Sequence, residues 1–165
     1  MAGIGSQAAA AVVRLLSSSS GVTAHLGNRQ DGGQGSETAA AQVAIRAQNV
    51  AAELAELGET VRYPVIQVYC EKLVNSLTEK FRTFSGTVQM AAEIRNSQDR
   101  LQGLQEGLEQ CADAVTQVLD GNRGDWGSGM YYAGGYQVAY GAVKHGGKNY
   151  IQVAKVTFEI GVSIS

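Results

Sequence analysis

The sequence predicts an α+β domain: a mainly antiparallel β-sheet with a long C-terminal hairpin, one long helix packed on the sheet, and smaller helices. Three observations carry this. First, residues 150–165, "YIQVAKVTFEIGVSIS", place Val156, Phe158, Ile160, Val162 and Ile164 at even positions, with Lys155, Thr157, Glu159, Ser163 and Ser165 at odd ones. Period two describes a strand with one dry face and one wet face. Second, Leu101, Leu104, Leu108, Cys111, Val115 and Val118 recur by threes and fours, an apolar stripe on a helix. Third, "KHGGKN" joins the alternating run "MYYAGGYQVAYGAV" to the closing run, as a tight antiparallel turn would.

Taken in order, residues 6–16 favour a short amphipathic helix, with alanines leading into Val12, Val13, Leu15 and Leu16. The stretch "SSSSGVTAHLGNRQDGGQGSE" has no period and is rich in Ser and Gly, so residues 1–39 are expected to be a helix followed by a flexible loop. Residues 40–165 then form the single α+β domain. "AQVAIRAQ" alternates as a short strand, and "NVAAELAEL" can continue as a short helix. "RYPVIQVYC" is β-branched and aromatic, with the single proline suited to a strand start. Residues 71–79 place Leu73, Val74 and Leu77 at helical spacing, which predicts a short amphipathic segment.

"FRTFSGTVQMAAEIR" reads as strand again, with Gly86 expected at a bend or bulge. The long helix follows, with Ser97 as its expected cap, Asp99 near its positive end and Gly121 as a left-handed stop. Tyr132, Tyr136, Val138 and Tyr140 are expected on one face of the next strand. The final strand is long enough to need partners along its whole length. The preceding run supplies one edge. A neighbouring subunit is expected to supply the other, with Val156 and Phe158 in the core and Val162 and Ile164 at a subunit interface.

At 165 residues and 17.3 kDa the chain fits one domain with a core of its own. A net charge of −2 with scattered Lys and Arg disfavours tight nucleic-acid binding. Cys70 and Cys111 sit in apolar patterns as buried thiols would, and the N-terminal apolar stretch is too short for a membrane span and lacks a basic leader region. His25 and His145 have no metal-ligand neighbours in sequence. "HGGKNY" lacks the spacing of a phosphate loop, and Ser85 has no nucleophile-elbow flanks. The residues therefore point to no catalytic, cofactor or metal site, and to a binding protein, not an enzyme.

The order of these elements, from "YPVIQVYCEKLVNSLTEKFRTFSGTVQMAAEIRNSQDRL" through "CADAVTQVLD" to "GMYYAGGYQVAYGAVKHGGKNYIQVAKVTFEIGVSIS", resembles the tail terminator (tail completion) family of long-tailed bacteriophages. The resemblance covers residues 40–165. It implies a virion protein, assembled in the host cytoplasm, whose ring of subunits, a hexamer, caps the tail tube, ends its polymerisation and offers a surface to the head or neck, with DNA passing through the lumen unbound. On that reading Lys144, His145 and Lys148, with Arg29 and Asp31 of the Ser17–Ser36 loop, are candidate contacts to other rings. The alternatives are a head-completion (neck) or tail tube protein of the same virion, or a small-molecule domain with a pocket under Trp126 and the tyrosines of 131–140.

Overall fold

A computed structural model of the protein describes residues 3–27, 43–51, 63–146 and 149–165. Within them, helices α1 (Ile4–Ser17), α2 (Val22–Gly27) and α3 (Leu104–Asp120) accompany eight strands: β1 (Ala44–Arg46), β2 (Val65–Asn75), β3 (Phe84–Gln98), β4 (Gly124–Gly127), β5 (Met130–Tyr132), β6 (Gln137–Tyr140), β7 (Lys144–Gly146) and β8 (Asn149–Ile164). The architecture is α+β and mainly sheet. The strand order is β1-β2-β3-β8-β5-β4, with β6 and β7 also paired to β8, and among the described residues only the β1–β2 pairing is parallel.

The alternation in β8 does what period two requires. Its even positions, Ala154, Val156, Phe158, Ile160 and Val162, are all buried, and they meet the buried even positions Val88, Met90, Ala92 and Ile94 of β3. Ile66 and Val68 of β2 extend this dry face. The helices cover it: Ala8, Val12 and Leu16 come from α1, and Leu108, Cys111, Val115 and Leu119 from the stripe of α3. Burying a Leu, Ile or Val side chain contributes roughly 1.5–3 kcal/mol, so this layer is the main source of stability.

Both edges of β8 are paired within the chain. On one side the register runs without interruption from Phe84↔Ile164 to Gln98↔Tyr150. On the other, three short strands share the work: β5 opposite Gly161 and Val162, β6 opposite Ala154–Thr157, and β7 opposite Asn149–Ile151. The run 130–143 is broken because Gly134 and Gly135 have φ of 102° and 92°, a left-handed backbone that leaves the ladder. A neighbouring subunit is thus not needed as an edge partner for β8, contrary to the expectation from its length. Val162, expected at a subunit interface, is 3% exposed in this chain's own core, because it continues the even-numbered dry face; Ile164 is half-buried.

Residues 71–75 are strand, not an amphipathic helical segment. β2 continues to Asn75 with a register shift between Cys70 and Lys72, and Lys72–Asn75 pair with Gly86–Gln89. A helix of so few residues is marginal on its own, whereas extending an existing ladder adds hydrogen bonds at once. Gly86 is not the bulge. It marks a close approach, since a Cβ there would lie 1.9 Å from the Val74 carbonyl oxygen.

The long helix begins later than Ser97 because Ser97 stays in β3, where its Oγ donates to the Tyr150 carbonyl at 2.8 Å. Leu101 is outside the helix and exposed. Gly103, with φ of 82°, precedes Leu104, and Gln98 Nε2 donates to the Arg100 and Gln102 carbonyls, bracing the connection. At the other end Gly121 has φ of −78°, so the stop is right-handed; Asn122 Nδ2 instead satisfies the Val118 carbonyl at 2.7 Å. The segment from Ser17 is not wholly irregular, since α2 occupies Val22–Gly27 and Val22 is buried. Asn49–Ala51 are not helical, and the rest of that expected helix lies outside the described residues.

Candidate functional site

The turn between β2 and β3 presents an apolar group to solvent. Phe81 is fully exposed, and Leu73, Val74 and Leu77 are 48%, 40% and 60% exposed. Apolar side chains at such exposure normally signal contact with something else when they gather in one place. Leu77 and Phe81 sit on a turn of fixed shape, with Leu73 and Val74 on opposite faces of the β2 strand that leads into it. Asn75 Oδ1 accepts from the backbone N–H groups of Leu77 and Ser85, and Asn75 Nδ2 donates to the Thr83 carbonyl. Ser76 donates to the Ser85 carbonyl, while the buried Ser85 Oγ accepts from the Glu79 N–H at 3.0 Å. Ser85 thus holds the turn. Leu77 and Phe81 have φ of 49° and 63°, the left-handed region that non-glycine residues enter only when their surroundings hold them there.

The same carboxylate that receives Ser163 Oγ from β8, Glu79 Oε2 at 2.8 Å, also pairs with Arg82 Nε at 3.2 Å. Lys80, Phe81 and Arg82 therefore form an aromatic flanked by two cations on a braced turn. Along the flank that leads to this turn, Ile4, Ala9, Ala47, Val68, Cys70 and Leu73 line a mainly apolar groove of about 430 Å³. Its floor is close-packed, for a Cβ on Gly5 would come within 2.9 Å of the Cys70 Cβ.

The sheet face away from the helices is polar and ordered. Arg95, 4% exposed, places its guanidinium on Glu93 Oε1 at 2.9 and 3.0 Å and donates to the Val50 carbonyl. Tyr69 Oη donates to Glu93 Oε2 at 2.9 Å; burial first, then this hydrogen bond, push the Tyr69 phenol above its ordinary value. Lys155 pairs with Glu71, and that hydrogen bond holds its ammonium above the usual lysine range. Arg95 and Lys155 thus each face a carboxylate. Pairing of this kind is a structural use of charge.

The sequence-predicted contact residues fall elsewhere. Lys144 and His145 are exposed on β7, with the His145 ring edge-on to Tyr150 at 5.1 Å between centroids. β7 pairs with Asn149–Ile151, whereas the β2–β3 turn lies level with Ile164, so the two are roughly 45 Å apart along β8 at about 3.3 Å per residue. Arg29, Asp31 and Lys148 lie outside the described residues. Where an aromatic pocket was considered, Trp126 and Tyr132 pack 5.5 Å apart and Tyr132 meets Phe158 edge-on at 5.8 Å, while on the other side of Phe158 an open, mainly polar cavity of about 350 Å³ is lined by Gly134, Tyr136, Gln137, Thr157 and Glu159. Tyr132 Oη donates to the Gly135 carbonyl.

Compared with known protein families and with curated proteins, the chain matches none significantly. Among the described residues, no group of three His, Cys, Asp or Glu side chains is placed to hold a metal ion, and no helix is long and apolar enough to cross a membrane. Sequence reasoning missed Phe81 and Leu77. "NSLTEKFR" does contain a signal, two large apolar residues in a stretch that fits neither strand nor helix period for long, but their exposure is decided only once β2 and β3 pair.

Proposed function

We propose that the protein is a structural virion subunit that assembles into a ring, a hexamer by family resemblance, caps the phage tail tube, ends its polymerisation and receives the head or neck. The observation that carries this reading is the braced β2–β3 turn, which offers Leu77 and Phe81 to solvent at one end of the sheet. Exposed apolar side chains on a rigid turn are suited to docking, since little conformational entropy is lost on contact. The far end of β8 carries Lys144 and His145 on the β7–β8 hairpin, so a subunit has two ends with different chemistry. Two unlike ends suit a piece that joins a tube on one side to a neck on the other. A net charge of −2 suits a lumen through which DNA slides without being held.

The test is native mass spectrometry and negative-stain imaging of the purified protein, alone and with the tube protein of the same genome. Rings that sit at tube ends and limit tube length support the reading. Long tubes formed by this chain alone would make it the tube subunit. Rings that bind neck protein but leave tube length unchanged would make it a head-completion protein, and a monomer indifferent to tubes would overturn the assembly reading.

A further inference from the structure

β8 turns its odd-numbered backbone groups toward the edge that β5 and β6 share. Gly141 N donates to the Val153 carbonyl at 2.8 Å and Ser163 N to the Gly129 carbonyl at 2.9 Å, which fixes that parity at both ends. Between them Lys155 lies opposite Ala139, Thr157 opposite Gln137 and Gly161 opposite Tyr131. Glu159 has no such partner among the described residues, because the chain leaves the ladder at Gly134 and Gly135. Its backbone N–H and C=O therefore stand side by side at an open, mainly polar cavity of about 350 Å³. We infer that this one-residue slot binds a neutral saccharide through a pair of vicinal hydroxyls, a function separate from ring assembly.

The pattern of donors and acceptors selects the ligand. A backbone N–H needs an acceptor and the neighbouring C=O needs a donor, so the occupant must carry both next to each other. Ammonium and guanidinium groups only donate, and ionised carboxylates only accept. A hydroxyl does both, and vicinal hydroxyls on a sugar ring present the two functions at adjacent positions. The cavity wall repeats this chemistry, with the Thr157 hydroxyl, the Gln137 amide and the Glu159 carboxylate. Gln89, also in the wall, donates through Nε2 to Glu71 Oε2 at 3.4 Å, so its Oε1 remains to accept.

Shape excludes the usual occupant of a strand edge. β5 and β6 take up the same edge on either side, and Thr157 to Gly161 spans only about 13 Å, too short for an extended peptide to enter and leave. A single sugar ring is small enough, and a Cβ on Gly135 would meet no atom within 4 Å, so the slot is open there. Tyr136, 40% exposed, also lines the cavity. Its Oη donates to Asp120 Oδ2 at 3.3 Å, which steadies an aromatic ring on which the C–H face of a sugar packs. An apolar ligand gains little from one ring among polar walls. A lone exposed carboxylate such as Glu159 holds a cation only weakly.

The experiment is heteronuclear NMR of the full, isotope-labelled chain, titrated separately with glucose, galactose, mannose and N-acetylglucosamine, and with acetamide and methylguanidinium as the competing chemistries. In the free protein the Glu159 amide should exchange with solvent roughly tenfold or more faster than the amides of Thr157 and Gly161, its paired neighbours. Equal protection would show that the chain fills the slot itself and overturns the inference. At least one sugar should shift the Glu159, Thr157 and Gly135 amides saturably and slow the Glu159 exchange. Saturable shifts with acetamide or methylguanidinium but with no sugar overturn the saccharide, and no saturable shift with any probe overturns the site. Tyr136→Ala and Glu159→Gln, both at exposed positions, should each weaken sugar binding roughly tenfold while thermal unfolding stays as in wild type. A sugar that binds both variants as well as wild type sits elsewhere, which overturns the assignment. None of these outcomes depends on whether the chain forms a ring.

Discussion

Ser163 Oγ donates to Glu79 Oε2 at 2.8 Å, joining the last strand to the β2–β3 turn across 84 positions of sequence. This bond ties the shape of the exposed turn to the end of the strand that organises the core. Ser163→Ala should therefore loosen the turn without unfolding the domain. A hydrogen bond to a charged group contributes about 1.5–3 kcal/mol when buried, and solvent exposure brings this one to about 1 kcal/mol or less. Hydrogen exchange should quicken at the amides of Leu77, Glu79 and Ser85 and stay unchanged in β8.

Gly86 sits where the two arms of the hairpin come closest. With the Val74 oxygen 1.9 Å from the position of a Cβ, Gly86→Ala must push the strands apart. The expected loss is about 2–4 kcal/mol, in the range of mutations that force backbone displacement. Gly161→Ala is the control: its nearest contact, the Tyr131 carbonyl oxygen, is at 3.6 Å, so a methyl fits and the change should be neutral or slightly stabilising. Chemical denaturation of the two variants checks the contrast.

What separates these glycines is not legible in sequence. Both lie in alternating runs, and only the pairing of the strands reveals which one stands too close to a carbonyl for a Cβ to fit. The dry face of β8 was legible, because a period of two needs no tertiary information. So was the stripe of α3. Its start was not, because Ser97 has a free choice between capping a helix and continuing a ladder until Tyr150 is beside it. The partition of the 130–143 run into two strands, β5 and β6, was equally hidden. So was the exposure of Phe81, since an apolar residue near a strand start reads as core until its neighbours are known.

Phe158 and Ile164 lie on the same face of β8 but should respond differently to truncation of the side chain. Phe158 is 3% exposed and packs against Tyr132, so Phe158→Ala should cost about 3–5 kcal/mol. Ile164 is half-buried at the end of the strand, and Ile164→Ala should cost no more than about 1–2 kcal/mol. Deleting residues 158–165 removes Ile160 and Val162 as well and should abolish cooperative unfolding, because three core positions and the half-buried Ile164 go with it. Calorimetry of the three variants reads all of these outcomes.

Arg95 is a buried cation whose carboxylate partner is Glu93, 19% exposed. Removing one member of such a pair leaves the other uncompensated, so Glu93→Gln should destabilise the domain by about 3 kcal/mol. Adding Arg95→Met removes the stranded charge, while Gln at 93 still accepts from Tyr69. The double variant should then be more stable than the sum of the two single losses by at least about 1 kcal/mol. A double-mutant cycle in urea measures the difference, and simple additivity would show that the two groups do not act as a pair.

Cys111 lies on the apolar stripe of α3, and burial pushes its thiol from 9.0 up to about 11. The neutral form is the one the core accepts. In the unfolded chain the thiol ionises near its ordinary value, so between about pH 9 and 11 the unfolded state binds fewer protons than the native state and stability falls as pH rises. Below pH 9 both states hold the proton and the contribution is fully present; above the folded value it is lost, a drop of roughly 2–3 kcal/mol. Cys111→Ala removes this titration. Its stability should start lower at pH 8, because of the missing sulfur, and then decline less steeply than wild type between pH 9 and 11. The buried tyrosine Tyr132, also raised by burial, titrates in both proteins and cancels in the comparison. Parallel slopes for the two proteins in urea titrations across that window would show that Cys111 ionises as readily folded as unfolded, contrary to its burial.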